Sequence, residues 1–109
     1  MVAKEGSNKA KFYLFRILRH GLFRVVKDPE IIISGELKTQ LEVEIEILID
    51  DFPEEVREEL DTIRGAEILH FDFNDKIVKI PELGLVSLVS ANYIGKKGSY
   101  YHFLLKYEV

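Results

Sequence analysis

Leu41-Glu42-Val43-Glu44-Ile45-Glu46-Ile47-Leu48-Ile49 alternates apolar and acidic residues almost throughout. Successive side chains of a strand point to opposite faces, so Leu41, Val43, Ile45, Ile47 and Ile49 share one face and Glu42, Glu44 and Glu46 the other. A helix would scatter the three glutamates around its barrel. The stretch therefore reads as a long strand with a dry aliphatic face and a wet acidic one. It lies near mid-chain, and the core is expected against its dry face.

Working backward, Ile31-Ile32-Ile33-Ser34 is a short β-branched run, and Gly35 to Lys38 reads as a turn that pairs it with the central strand. Asp28-Pro29 breaks the chain before it. Lys11 to Lys27, KFYLFRILRHGLFRVVK, supports two readings. As strands it gives Lys11–Arg19, a turn near His20-Gly21, and Leu22–Lys27. As a helix it places Phe12, Phe15, Leu18, Leu22 and Val26 on one stripe. Gly21 weakens a helix by about 1 kcal/mol relative to Ala and the aromatics favour strand, so strand–turn–strand is the expectation. Met1 to Ala10 has no apolar run, is not a secretory signal, and reads as a polar tail before a single domain of residues 11–109.

Working forward, Phe52 to Arg64 is the clearest helix. Asp51 and Glu54 have capping-box spacing, Pro53 suits a first turn, and Phe52, Val56, Leu60 and Ile63 form one apolar stripe. Glu54, Glu55, Glu58, Glu59 and Asp61 read as its solvated face, and Gly65 as its stop. Glu67–Phe73, a turn at Asn74-Asp75 and Lys76–Ile80 read as a hairpin. Leu85–Ile94, a basic loop Gly95-Lys96-Lys97-Gly98 and Ser99–Val109 read as another. Strands, one principal helix, then more strands is the order of a small OB-like Greek-key barrel. An α+β two-layer sandwich with an N-terminal helix is the alternative, should residues 11–27 be helical.

At 109 residues the chain has room for one modest core. Its 47% apolar and 31% charged residues suit a soluble globular protein. No apolar run approaches the roughly 20 residues of a membrane span. The absence of cysteine rules out disulfides and thiolate chemistry, and the expected location is cytoplasmic. Abundant Glu, Ile and Lys hint at a thermophile. The net charge of −4 conceals an asymmetry: residues 1–27 carry seven basic residues and one acid, residues 28–82 five and seventeen. The basic segment is expected mainly to neutralise the acidic face beside it.

His20, His70 and His102 have no partner at zinc-ligand spacing. His70 and Asp72 share a strand face, with Asp75 beyond, a spacing that specifies no site by itself. Nucleophile-elbow, P-loop and dinucleotide glycine motifs are missing. No catalytic, metal or cofactor residue is assigned, and the expectation is a non-catalytic binding or assembly module with a protein partner. Glu42, Glu44 and Glu46 are its candidate partner surface. The alternative is nucleic-acid binding by a basic-aromatic face, for which Arg16, Arg19, Arg24, Tyr93, Lys96, Lys97 and Tyr100 are the candidates. Homo-oligomerisation is compatible with either.

Gly84-Leu85-Val86-Ser87-Leu88, ending at Asn92-Tyr93, precedes a final Tyr101-His102-Phe103-Leu104-Leu105-Lys106 strand. This pattern, with the central strand running into Phe52-Pro53, resembles the eighth common subunit family of archaeal and eukaryotic RNA polymerases over about half the chain. Leu83-Gly84 departs from the double glycine frequent in that family, and the helix at 52–64 is stronger than expected there. The resemblance implies an OB-like, non-catalytic subunit of a transcription complex.

Overall fold

The computed structural model describes residues 2–34, 39–65, 67–81 and 83–109. The turn expected at Gly35 to Lys38 lies outside them. The described elements are β1 (Val2–Glu5), α1 (Asn8–Arg19), β2 (Arg24–Val25), β3 (Glu30–Ser34), β4 (Thr39–Leu48), a 3-10 turn (Ile49–Asp51), α2 (Glu54–Asp61), β5 (Glu67–Ile80), β6 (Gly84–Lys97) and β7 (Tyr100–Glu108). The mainly β character is as expected. The seven strands form one sheet in the order β1-β5-β6-β7-β4-β2, with β3 also pairing β4, and that sheet does not close into a barrel. All pairings are antiparallel except β1 with β5.

Lys11–Lys27 corrects the expectation most. It is not strand–turn–strand: α1 ends at Arg19, and only Arg24 and Val25 are strand. Gly21, at φ +70°, stands just past the helix, where a left-handed residue terminates it, so its helix-interior cost does not arise. The buried stripe is Ala10, Leu14, Ile17 and Leu18, while Phe12 is exposed. Residues 2–10 are no tail either. They supply β1, the Ser7 cap, whose Oγ accepts from the Ala10 N–H at 3.1 Å, and the first turn of α1.

Two further boundaries move. Helix α2 starts at Glu54 with Pro53 as its N-cap, not Asp51, and Phe52 is buried ahead of it. Asn74-Asp75 is a bulge inside one continuous strand rather than a hairpin turn. Both residues have positive φ, and the β5–β6 register jumps between Asp72↔Ser90 and Lys76↔Leu88.

One face of the sheet is the core face. Val43, Ile45 and Ile47 pair with Leu105, Phe103 and Tyr101, which continue into Ala91, Tyr93, Phe71 and Leu69. They join Leu14, Ile17, Leu18, Val56 and Leu60 of the helices in one buried cluster. Aromatic rings fill its centre, Tyr93 meeting Tyr101 edge-on at 5.5 Å and Phe103 at 5.4 Å. Tyr101 also fixes α2: its hydroxyl donates to Asp61 Oδ1 at 3.1 Å. Burial first, then this carboxylate, hold the Tyr101 phenol above its usual pKa.

Candidate functional site

The opposite face of the sheet carries the polar residues. Glu46 lies opposite His102 in the β4–β7 ladder, with Glu44 two residues away on the same side. His102 sits between the two carboxylates, Nδ1 2.9 Å from Glu44 Oε2 and Nε2 3.4 Å from Glu46 Oε2. Strand β2 runs along β4 and brings Arg24 to Glu46, its Nε donating to Oε1 at 2.7 Å. Lys27, just beyond β2, lies 3.4 Å from Glu44 Oε1. The outcome is a chain, Arg24–Glu46–His102–Glu44–Lys27, across three strands. The His102 hydrogen bond, opposed by burial and helped by Lys27, lowers the Glu44 pKa. A cavity of about 210 Å³ bordered by Lys27, Glu44, Gly95, Lys97 and His102 opens beside it.

This network decides what the acidic stripe is. Glu46 is buried, and Glu44 and Glu46 have their carboxylates engaged within the chain. Glu42 lies opposite Lys106 on one side and Glu30 on the other. Glu44 and Glu46 thus belong to an internal network rather than to a free acidic surface.

The seven residues of the basic-aromatic set are dispersed. Arg16 and Arg19 are exposed on α1. Arg24 lies over the Tyr100 ring at 5.4 Å while holding Glu46. Lys96 reaches 3.6 Å from Asp61 at the end of α2, and Lys97 is exposed opposite Tyr100 in the last hairpin. Tyr93 is a core residue whose phenol is pushed up to about 12 by burial and Asp61. It cannot stack on a base.

His70 and Asp72 have separate partners. His70 Nδ1 is 2.7 Å from Asn92 Oδ1 across the β5–β6 ladder. Asp72 Oδ1 accepts the Asn74 N–H at 3.0 Å and so supports the bulge. Among the described residues no three His, Asp or Glu side chains gather in a way that could hold a metal ion.

A second cluster was legible only in part: Arg19 is among the basic candidates, whereas Lys11, Phe73 and Lys76 are not. Lys11, Phe15 and Arg19 are spaced at i, i+4 and i+8 on α1; Lys11 and Phe15 meet Phe73 of β5, Lys76 of β5 lies over the Phe15 ring, and Arg19 covers Phe15 from its own helix. That spacing is legible only once the stretch is taken as helical. No family model, no curated protein and no solved structure matches this chain.

Proposed function

We propose that the chain is a non-catalytic binding module that docks a protein partner on the uncovered face of its sheet. The role is that of a small assembly subunit, as the likeness to the polymerase subunit family implies, in a cytoplasmic transcription complex. One observation carries the reading. Ile77 and Leu85 are 61% and 73% exposed, and they stand on the side of β5 and β6 that faces away from the core. Ile77 pairs with Ser87 and Lys79 with Leu85, so the two side chains are diagonal neighbours on that face. Large apolar side chains grouped in water mark interaction surfaces more often than single ones do. The adjoining edge supports the same reading: β1 pairs β5 only over residues 67–70, and among the described residues no strand covers the remainder. An open edge is a template for strand addition. Lys79 stands opposite Leu85 and beside Ile77 on the same face, and forms no ion pair among the described residues. The partner surface that fits is therefore apolar with an acidic rim. Binding rather than catalysis agrees with the state of His102, whose two ring nitrogens face carboxylates of the same sheet.

The test is affinity purification of the tagged chain from its own cells, with Ile77→Glu/Leu85→Glu beside it. A stoichiometric protein partner that is lost in the double variant, and that protects the amides of residues 76–80 from exchange, is expected. Identical recovery with both chains would refute the surface. Light scattering of the purified chain tells whether that partner is a second copy.

A further inference from the structure

Seven basic residues lie in residues 1–27, and four of them are paired with acids: Lys4 with Glu67, Lys9 with Glu55, Arg24 with Glu46 and Lys27 with Glu44. The other three, Lys11, Arg16 and Arg19, all lie on α1 and form no ion pair among the described residues. Two of them sit against aromatic rings instead. Lys11 Nζ is 5.8 Å from the centre of Phe73, and Arg19 Cζ 5.8 Å from that of Phe15. Lys76 joins from β5, its Nζ 5.4 Å from Phe15. The rings are themselves in contact, with centroids 5.8 Å apart. Rings attract cations through their quadrupole but do not neutralise them. The cluster therefore keeps its positive field. Phe12 stands one helical turn from Phe15 and Arg16, is 61% exposed, and touches the Tyr13 ring edge-on.

We propose that this flank of α1, with Lys76, binds single-stranded nucleic acid. Lys11, Arg19 and Lys76 take backbone phosphates and Phe12 takes an unstacked base. Phosphate contacts require cations not already held by carboxylates, and base stacking requires an exposed ring among them. A duplex keeps its bases stacked inside and gives Phe12 nothing to hold. The nearest acids in sequence are Asp72 and Asp75 on β5, and Asp72 is bonded to the Asn74 N–H. The surface lies on the helix-covered side of β5, whereas Ile77 projects from the other side, so it does not depend on the protein-docking face.

The test is fluorescence anisotropy with short labelled oligo-dT and oligo-rU, and a duplex of equal length, across a series of salt concentrations. The wild type is expected to bind the single strands and to lose affinity as salt rises. Lys11→Ala/Arg19→Ala/Lys76→Ala is expected to weaken binding at least tenfold and to flatten the salt slope by about 2, each phosphate contact on a single strand contributing ~0.7. Phe12→Ala is expected to weaken binding with the slope unchanged. Lys11→Arg/Lys76→Arg retains binding, which separates loss of charge from loss of fold. No binding at low salt, equal binding of the duplex, undiminished binding by the triple variant, or displacement by poly-glutamate as readily as by poly-uridylate would each overturn the assignment.

Discussion

Gly6 is the residue on which the N-terminal segment turns. Its N–H donates to the His70 carbonyl at 2.8 Å, extending the β1–β5 ladder by one bond. A Cβ built there would run into the Phe71 ring, which is 1% exposed and has nowhere to go. Gly6→Ala is accordingly expected to destabilise the fold by about 1–3 kcal/mol, the usual cost of overpacking, read from urea denaturation midpoints. A second residue-scale prediction concerns Glu44. Its folded pKa lies below the ordinary value of 4.5, chiefly because of His102. A depressed carboxylate contributes stability that is complete above its unfolded pKa and is lost as pH falls through the folded one. His102→Asn, without the imidazole, is expected to be less stable than the wild type near neutrality. The two should converge as pH falls below about 4.5, measured by denaturation at stepped pH. A constant gap down to the acid limit would show that Glu44 draws nothing from His102.

At the scale of the element, α1 shows what was legible and what was not. The central strand could be read because its alternation has period two over nine residues, and β4 keeps Val43, Ile45 and Ile47 on the core face. In α1 the apolar residues outnumber those a single stripe needs. Phe12 and Phe15 look like core by type, yet Phe12 is exposed and Phe15 only packs against a core built from Ala10, Leu14, Ile17 and Leu18, and only packing against β5 selects between the sets. Gly21 misled because its effect depends on falling inside the helix or just after it. The acidic stripe misled for a similar reason: alternation fixes which face carries the glutamates, not that His102, fifty-eight positions from Glu44, lies among them. Ser7 holds the start of α1 twice over. Its Oγ accepts from Ala10 N–H and donates to Glu59 Oε1, while its own N–H donates to Glu59 Oε2 at 2.8 Å. Ser7→Ala thus removes a cap and loosens α1 from α2, an expected loss of about 1–2 kcal/mol. Leu14→Ala, in the centre of the buried stripe, is expected to cost about 2–5 kcal/mol. Both are checked by thermal melts followed by circular dichroism.

At the scale of the whole molecule, the N-terminal segment serves as both counter-charge and edge cover. Its lysines and arginines reach acids on α2, β4 and β5, as the charge asymmetry suggested, through Lys9–Glu55, Arg24–Glu46, Lys27–Glu44 and Lys4–Glu67. Strand β1 meanwhile lies parallel to β5 and pairs Val2 to Glu5 with Glu67 to His70. Past that point β5 manages its open edge with the Asn74-Asp75 bulge and with Lys76 and Lys79, devices that discourage indiscriminate strand pairing. The first half of β5 has neither bulge nor lysine, since Glu67, Ile68, Leu69, His70 and Phe71 run as a regular strand. Among the described residues its protection is β1 alone. A chain beginning at Asn8 removes that cover together with the Gly6 bond and the Ser7 cap, and leaves apolar strand edge in water. Such a chain is expected to melt at lower temperature and to associate in a concentration-dependent way through residues 67–71, whereas the full chain does not associate through that segment. Light scattering over a dilution series, with amide exchange at residues 67–71, reads both effects. Restoring β1 as a separate peptide of residues 1–7 should compete with the association. A truncated chain that melts like the full one and shows no protection of that segment would mean that β1 is not what keeps the edge closed.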